Sequence, residues 1–314
     1  MTEGDAMKKD LYVLTGFLGA GKTSLLLHLL NNIEGKRIGV IQNEFGKLGI
    51  DGEILRRGDI TMTEIGRGSI FCSCLKLTFV QALAEMAKCE LDCVFVERSG
   101  LADPASLNEV LDAVKVLAGD AYELRGILCL IDSVNFPEQL HDTATVDSQL
   151  AHCHMAVINK TDLVSAEELA EVVSLVRSVN PNCRIVTAVN GNIALDFLGE
   201  ELTDYAFASC DAETRMIDNK PKTFSLECEQ PVSEAALRAF LTRVQPVFYR
   251  MKGFFRLENG WHQVDTVEKL IDLAPCGEKE LSQLVFLSKI GPKAIREVDN
   301  AWRELVGIDM KLRN

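Results

Sequence analysis

The segment GFLGAGKT, residues 16–23, has the residue types and spacing to bind a phosphate chain. It fits the pattern G-x-x-x-x-G-K-T, in which glycines let backbone N–H groups surround a polyphosphate at the start of a helix. The lysine of this pattern reaches the terminal phosphates, and the threonine hydroxyl can bind Mg²⁺. We therefore predict a nucleotide-binding loop that consists of Gly16, Gly19, Ala20, Gly21, Lys22, Thr23 and Ser24.

Two later segments carry carboxylates that suit a bound Mg²⁺ and the hydrolysis of a phosphate bond. The apolar run LDCVFVE ends at Glu97, which we expect to hold Mg²⁺ directly or through water, and the turn at Gly100 follows it. The loop NEFGKLGIDG carries Glu44 and Asp51. Because the phosphate loop contains no strong base, these two are the nearest acidic candidates to position an attacking water. The predicted catalytic residues are Lys22, Glu44 and Asp51, and Gly100 is a predicted nucleotide contact.

A third segment predicts which base is bound. The apolar run MAVI leads into NKTD, residues 159–162. In this N-K-x-D arrangement, the aspartate can accept both the N1–H and the exocyclic amine of guanine, whereas adenine offers no matching pair of donors. Four such residues alone would be a common polar turn, but downstream of a phosphate loop they indicate guanine. The predicted base contacts are Asn159, Lys160 and Asp162, with Ala188 and Val189 from the next turn.

These residues must be positioned by strands and helices, and the sequence has the required pattern. The run LYVLTG precedes the phosphate loop and a leucine-rich helical pattern follows it. Further apolar runs predict strands at KRIGVIQ, LDCVFVE, GILCLID, MAVIN and CRIVT. We predict a doubly wound, mostly parallel α/β domain over residues 1–207, with the nucleotide at the carboxyl ends of the strands. A linker at 208–222 and a smaller α+β domain at 223–314 should follow, the latter with four strands in an antiparallel sheet backed by two helices.

The net charge and the pattern of apolar residues argue against nucleic acid and membranes as partners. The chain has 314 residues, with 46 acidic and 33 basic ones, and a formal net charge of −13. Such a surface repels nucleic acid backbones, so nucleic acid is not an expected partner. The sequence contains neither an apolar run of about 18 residues nor a signal-peptide pattern, so we expect a cytoplasmic protein without a membrane partner.

Five segments, read in order along the chain, resemble the CobW-type branch of the P-loop GTPases, relatives of the UreG and HypB metal-insertion GTPases. They are TGFLGAGKTSLL, NEFGKLGIDG, ERSGLADP, INKTDLV and RMKGFF. The resemblance implies that GTP and Mg²⁺ are bound and that hydrolysis drives delivery, insertion or repair at a metal centre. The implied metal is Zn²⁺ or Co²⁺, the implied client is a metalloprotein or corrinoid protein, and a nucleotide-dependent homodimer is a further expectation. The alternative is a GTP-dependent regulatory switch that binds a partner protein without handling metal.

The cysteines of GSIFCSC stand where this family usually carries a C-x-C-C motif after a glycine. Aligning Gly68 with that glycine sets Ser69, Phe71 and Cys72 against the three family cysteines, so only Cys72 is retained, and Cys74 follows two residues later. Thiolates near a helix N-terminus are soft ligands that suit Zn²⁺ or Co²⁺. The predicted transition-metal ligands are Cys72 and Cys74, with Glu44 as the further ligand that the resemblance implies. A redox-active thiol pair and two inert packing cysteines are the alternatives.

Overall fold

The computed structural model describes residues 8–42, 59–64, 74–98, 107–142, 144–208, 222–267 and 270–313. They belong to two compact units, Met1–Ile217 and Asp218–Asn314. The predicted linker, 208–222, falls almost wholly outside the described residues. Its limits, and the domain boundaries beside it, therefore stay predictions.

The first unit contains a seven-stranded sheet whose strand pairs all run parallel. Its strands are β1 (Lys9–Gly16), β2 (Ile38–Gln42), β3 (Ile60–Glu64), β4 (Cys93–Glu97), β5 (Tyr122–Asp132), β6 (Met155–Asn159) and β7 (Arg184–Thr187). They lie in the order β3-β2-β4-β1-β5-β6-β7. Strand β1 is therefore central, and the phosphate loop leaves its carboxyl end.

The α-helices described in the first unit connect these strands. They are α1 (Lys22–Asn32), α2 (Cys74–Ala87), α3 (Leu107–Ala118), α4 (Phe136–Asp142), α5 (Ala144–Ala151) and α6 (Ala166–Val179). Among the described residues of the whole chain, no helix has both the length and the apolar character that crossing a bilayer requires.

The core of the first unit lies around β1. Strands β2 and β6 are buried along their whole length, as expected for parallel strands covered on both faces. The ring of Tyr12 in β1 stacks on Phe95 of β4 at a centroid distance of 5.3 Å and meets Phe197 edge-on at 5.8 Å. Helix α1 buries leucines at positions 25, 26, 29 and 30, which is the spacing of one helical face. This packing fixes the start of α1 against the sheet.

The predicted fold class is confirmed, with one additional strand in the first sheet. The sequence ITMTE forms β3, although its alternating threonines lack the apolar run by which the other strands were recognised. Strand β3 pairs with β2 alone, at the edge of the sheet. An edge strand needs less apolar sequence because it is covered less completely.

The second unit contains a six-stranded antiparallel sheet and two α-helices within the described residues. The strands are β8 (Lys222–Cys228), β9 (Phe248–Leu257), β10 (Gly260–Val267), β11 (Leu270–Pro275), β12 (Ser282–Ser288) and β13 (Lys311–Arg313), and the helices are α7 (Glu234–Val244) and α8 (Ala294–Leu305). Their order in the sheet is β11-β10-β9-β12-β8-β13. Strands β11 and β13, both at edges, add to the four that the sequence predicted.

Aromatic side chains from helices and sheet form the core of the second unit. The Phe240 ring of α7 meets Trp302 of α8 edge-on, with centroids 5.0 Å apart. Phe286 of β12 stacks on Phe224 of β8 at 5.0 Å, and both rings are buried. The two helices and the sheet therefore share one hydrophobic core.

Gly253 of β9 lies opposite Leu284 of β12 in the sheet. A Cβ atom added there would lie 1.8 Å from the carbonyl oxygen of Gln283, which is a backbone atom that cannot rotate away. Gly277 differs, because a Cβ on it would meet no atom within 4 Å. These two glycines form a matched pair for testing the packing of this sheet.

We predict that Gly253→Ala destabilises the second unit by about 3 kcal/mol, because the strands must separate or bend to admit the methyl group. Gly277→Ala should change the free energy of unfolding by less than about 0.5 kcal/mol. The two tryptophans of the chain, Trp261 and Trp302, both lie in this unit, so urea unfolding followed by tryptophan fluorescence reports on it. Equal midpoints for the two variants would contradict the close approach.

Candidate nucleotide-binding site

The phosphate loop has a backbone that only glycines adopt readily. Gly16, Gly19 and Gly21 have φ angles of 128°, 78° and 100°. A Cβ on Gly16 would lie 2.3 Å from the carbonyl oxygen of Leu130, and one on Gly21 would lie 2.2 Å from Nδ2 of Asn159. The three glycines are therefore required by conformation, and two of them also by close neighbours. Helix α1 starts directly after the loop, so its free N–H groups face the loop.

Lys22 is held beside the loop by backbone acceptors. Its Nζ donates hydrogen bonds to the carbonyl oxygens of Gly16 at 2.8 Å and Phe17 at 2.9 Å, and the residue is buried. The positive charge thus lies at the N-terminal end of α1, where the helix dipole also favours an anion. This arrangement is suited to binding the terminal phosphates of a nucleotide.

Thr23, Glu97 and Gln42 form a polar cluster next to this lysine. The Thr23 hydroxyl donates to Oε1 of Glu97 at 3.0 Å, and Nε2 of Gln42 donates to Oε2 at 3.0 Å. Burial raises the pKa of Glu97, while Lys22 and the two hydrogen bonds act in the opposite direction. Oε1 of Gln42 is buried and has no hydrogen-bond partner among the described residues.

This cluster fits a hard divalent cation. A hydroxyl and a carboxylate are oxygen ligands of the kind that Mg²⁺ prefers, and a cation would offset the cost of a buried negative charge. The unpartnered oxygen of Gln42 could accept a hydrogen bond from a water on such a cation. Sequence reasoning missed Gln42, although its position as the last residue of β2 places it at the same sheet edge as Glu97.

The amide of Asn159 joins the phosphate loop to the turn after β7. Its Nδ2 donates to the carbonyl oxygen of Ala20 at 2.9 Å, and its Oδ1 accepts the N–H of Gly191 at 2.9 Å. The backbone N–H and the hydroxyl of Thr161 both donate to the carbonyl oxygen of Ala188, at 3.2 and 3.0 Å. The loop that contains Asp162 is thereby fixed between the phosphate loop and residues 188–191.

The structure brings most of the predicted nucleotide contacts to one edge of the sheet. The hydrogen bonds just described involve Gly16, Lys22, Thr23, Glu97, Asn159 and Ala188. Ala20 takes part through its carbonyl oxygen. Three further predicted contacts are exposed beside these residues: Asp162 and Val189 in loops and Ser24 in the first turn of α1. Lys160 adopts a left-handed backbone conformation directly before the turn that carries Asp162.

The remaining predicted site residues are not part of this network. Glu44, Asp51, Cys72 and Gly100 fall outside the described residues, and Cys74 is the first residue of α2. Within the described ranges, no group of three or more His, Cys, Asp or Glu side chains could hold a metal ion. The transition-metal site and the roles of Glu44 and Asp51 therefore stay predictions.

The similarity of the chain to models of known protein families shows which family it belongs to. The family model "CobW/HypB/UreG, nucleotide-binding domain" matches residues 10–187, which is more than half of the chain. The chain belongs to the CobW/HypB/UreG family. A second model, "Cobalamin synthesis protein cobW C-terminal domain", matches residues 222–300. The family resemblance expected from the sequence motifs is confirmed in both units.

Individual members of the CobW/HypB/UreG family resemble the chain to different extents. It is 33% identical over 224 residues to the zinc chaperone CobW of Pseudomonas aeruginosa, a match that covers 61% of this chain and 59% of that relative. It is 27% identical over 340 residues to zinc-regulated GTPase metalloprotein activator 1 of Schizosaccharomyces pombe, with 90% and 80% covered. The crystal structure of the Zn(II)-bound YjiA GTPase from E. coli aligns with a TM-score of 0.48 at 23% identity, covering 96% of this chain and 99% of that one. The match to the bacterial CobW thus spans about three fifths of its length.

We predict that Asp162→Asn weakens GTP binding about a hundredfold and favours xanthosine triphosphate, because the amide can donate to the extra carbonyl of xanthine. Equilibrium binding of labelled GTP, XTP and ATP measures this change. Asp299→Asn in α8 is a matched control that should leave all three affinities unchanged. An unaltered base preference in the Asp162 variant would exclude the proposed base contact.

We predict that Glu97→Gln has opposite effects on the protein with and without Mg²⁺. The raised pKa of Glu97 means that, without a cation, the folded protein loses stability as the pH rises above the ordinary glutamate range near 4.5. At pH 7.5 the variant should therefore melt roughly 2 °C higher than the wild type in EDTA. It should gain much less thermal stability than the wild type on adding Mg²⁺ and GDP. Glu85→Gln, which removes an exposed carboxylate, should change neither value, and a full Mg²⁺ effect in Glu97→Gln would contradict the assignment.

Proposed function

We propose that the protein is a GTP-dependent zinc chaperone, which binds GTP with Mg²⁺, hydrolyses it and uses this cycle to deliver Zn²⁺ to a client metalloprotein. The observation that carries the GTP part is the bridge made by Asn159. One buried amide connects the loop suited to phosphates with the turn next to Asp162, the residue suited to guanine. Two recognition elements for opposite ends of one nucleotide are thus built as a single polar network.

In this proposal the residues of the phosphate loop bind and orient the triphosphate. Lys22 contributes a positive charge beside the terminal phosphates, and Thr23 and Glu97 would hold Mg²⁺, which supplies charge neutralisation when bound. Glu44 and Asp51 remain the proposed residues for orienting the attacking water, and Gly100 a proposed nucleotide contact. The attack needs little covalent help from the protein, since phosphoryl transfer depends chiefly on positioning and electrostatics.

The proposed cargo is zinc, because the names of the relatives refer to it. The bacterial CobW is called a zinc chaperone and the yeast relative a zinc-regulated activator of metalloproteins. Neither name gives support to cobalt or to a corrinoid client. The proposed ligands are Cys72, Cys74 and Glu44, an incomplete set that a client or water would complete, as suits a carrier that must release its ion. The nucleotide-dependent homodimer stays a prediction.

A short path of contacts supports coupling between nucleotide and cargo. Thr23 contacts Glu97, Glu97 contacts Gln42, and Gln42 stands two residues before Glu44 in the chain. A change at the Mg²⁺ site would therefore reach the segment that carries a proposed zinc ligand. The alternative, a GTP-dependent switch that never handles metal, predicts the same nucleotide site but no such effect of zinc.

We predict that the wild type binds one thiophilic ion and that Cys72→Ser/Cys74→Ser binds it at least about tenfold more weakly, because the soft ligands are lost. Co²⁺ serves as a spectroscopic probe, through its sulfur-to-metal charge-transfer band, in the presence of GDP or of a GTP analogue. Zn²⁺ should compete for the same site and change the GTPase rate of the wild type.

The matched control replaces two cysteines elsewhere in the chain that are partly exposed, Cys89→Ser/Cys276→Ser, and should bind Co²⁺ like the wild type. A band that differs between the two nucleotides would connect the site to the GTP cycle. Absence of the band in every nucleotide state, together with a GTPase rate that zinc does not alter, would favour the metal-free switch.

A further inference from the structure

The carboxyl end of β5 contacts the loop that precedes Asp162. Asp132 is the last residue of β5, and its side chain is completely buried. Its Oδ2 accepts a hydrogen bond from Nζ of Lys160 at 2.5 Å, while Oδ1 accepts the N–H of Val134 at 3.1 Å. Because a buried carboxylate is costly without partners, the pair with Lys160 is part of the folded arrangement.

Ser133 adds two contacts to the backbone of the same loop. Its N–H donates to the carbonyl oxygen of Asn159 at 3.1 Å, and its hydroxyl donates to the carbonyl oxygen of Lys160 at 3.0 Å. Ser133 is buried as well. Lys160 is thus held at its carbonyl by Ser133 and at its side chain by Asp132.

The backbone of Lys160 explains why such contacts are needed. Its φ and ψ are 62° and 31°, and among described non-glycine residues only Asn190 shares a positive φ. Asparagine adopts this left-handed conformation fairly readily through its short polar side chain, but lysine has no such side chain. The conformation of Lys160 must therefore be maintained by its surroundings, and Asp132 and Ser133 supply the contacts.

The conformation of Lys160 determines where Asp162 lies. The short turn Thr161–Leu163 begins immediately after Lys160, and the N–H of Leu163 donates to the Lys160 carbonyl oxygen at 3.0 Å. That oxygen therefore binds both Ser133 and the turn. If Lys160 left the left-handed region, the turn would reorient and the Asp162 carboxylate would move with it.

We propose that Asp132 and Ser133 are positioning residues for base selectivity, which hold Lys160 in its left-handed conformation and so place Asp162 to accept the two N–H donors of guanine. They act through Lys160 and need no contact with the nucleotide. The inference rests on the proposed binding of GTP and extends it to residues outside the N-K-x-D motif. They lie 28 and 27 residues before Lys160 in the chain.

The test compares GDP, IDP and ADP binding to Asp132→Asn, Ser133→Ala and the wild type, in the presence of Mg²⁺. IDP lacks the exocyclic amine of guanine, and ADP lacks both donors that Asp162 accepts. In Asp132→Asn we expect the affinity for GDP to fall about ten- to a hundredfold, while the affinity for ADP changes less than about twofold. The ratio of GDP to IDP affinity should move towards one. Ser133→Ala should change that ratio in the same direction, by about three- to fivefold.

Asp265→Asn is the matched control, because it also removes a carboxylate from an ion pair, in this case with Arg250 in the second unit. It should leave the three affinities unchanged. Equal losses for all three nucleotides, or a lower melting temperature with an unchanged ratio of GDP to IDP affinity, would make Asp132 a purely structural residue and overturn the inference. If Asp132→Asn does not fold, the ratio in Ser133→Ala decides alone. A wild type without preference for GDP would instead contradict the proposed function.

Discussion

The carboxamide of Asn159 is the interaction on which the geometry of the site depends. It is buried, its nitrogen donates to the phosphate loop and its oxygen accepts from the turn at Gly191. An amide has one donor end and one acceptor end, whereas a carboxylate would set an oxygen against the carbonyl of Ala20. Gly21 lies so close that even a methyl group there would collide with the amide nitrogen. The two loops are therefore locked to each other through one side chain.

The sheet makes this arrangement possible. From β1 the chain first builds the side of the sheet that contains β2, β3 and β4, and then returns to build β5, β6 and β7 on the other side. All strand pairs are parallel, so the carboxyl ends of β1, β4, β5 and β6 meet at one edge, on both sides of the central strand. Such a reversal leaves a crevice between loops that diverge in opposite directions, and ligands of doubly wound sheets bind there. Four different strands end at this edge. They bring together the glycine loop, Glu97, Asp132 and Asn159.

The sequence predicted those parts of the site that are encoded locally. The phosphate loop and the N-K-x-D segment are short motifs whose chemistry depends on neighbouring residues, and long apolar runs identified the buried strands. Gln42, Asp132 and Ser133 could not be found in this way, because each acts on a partner distant in the chain; Gln42 and Glu97 are 55 residues apart. Strands β3, β11 and β13 were missed because edge strands carry weak apolar patterns. The roles of Gln42, Asp132 and Ser133 depend on strand pairing and burial, which the local sequence does not show.

The hydrogen bonds of Lys22 to Gly16 and Phe17 have a consequence for the kinetics of binding. The two hydrogen bonds fix the lysine side chain, and the positive φ angles of the glycines give the loop its curved backbone. A ligand that enters does not have to order either of them, so little of the free energy of phosphate contact is consumed by entropy. Differences in affinity between nucleotides should consequently reside in how long each remains bound, and nucleotide exchange would be governed by departure rather than by entry.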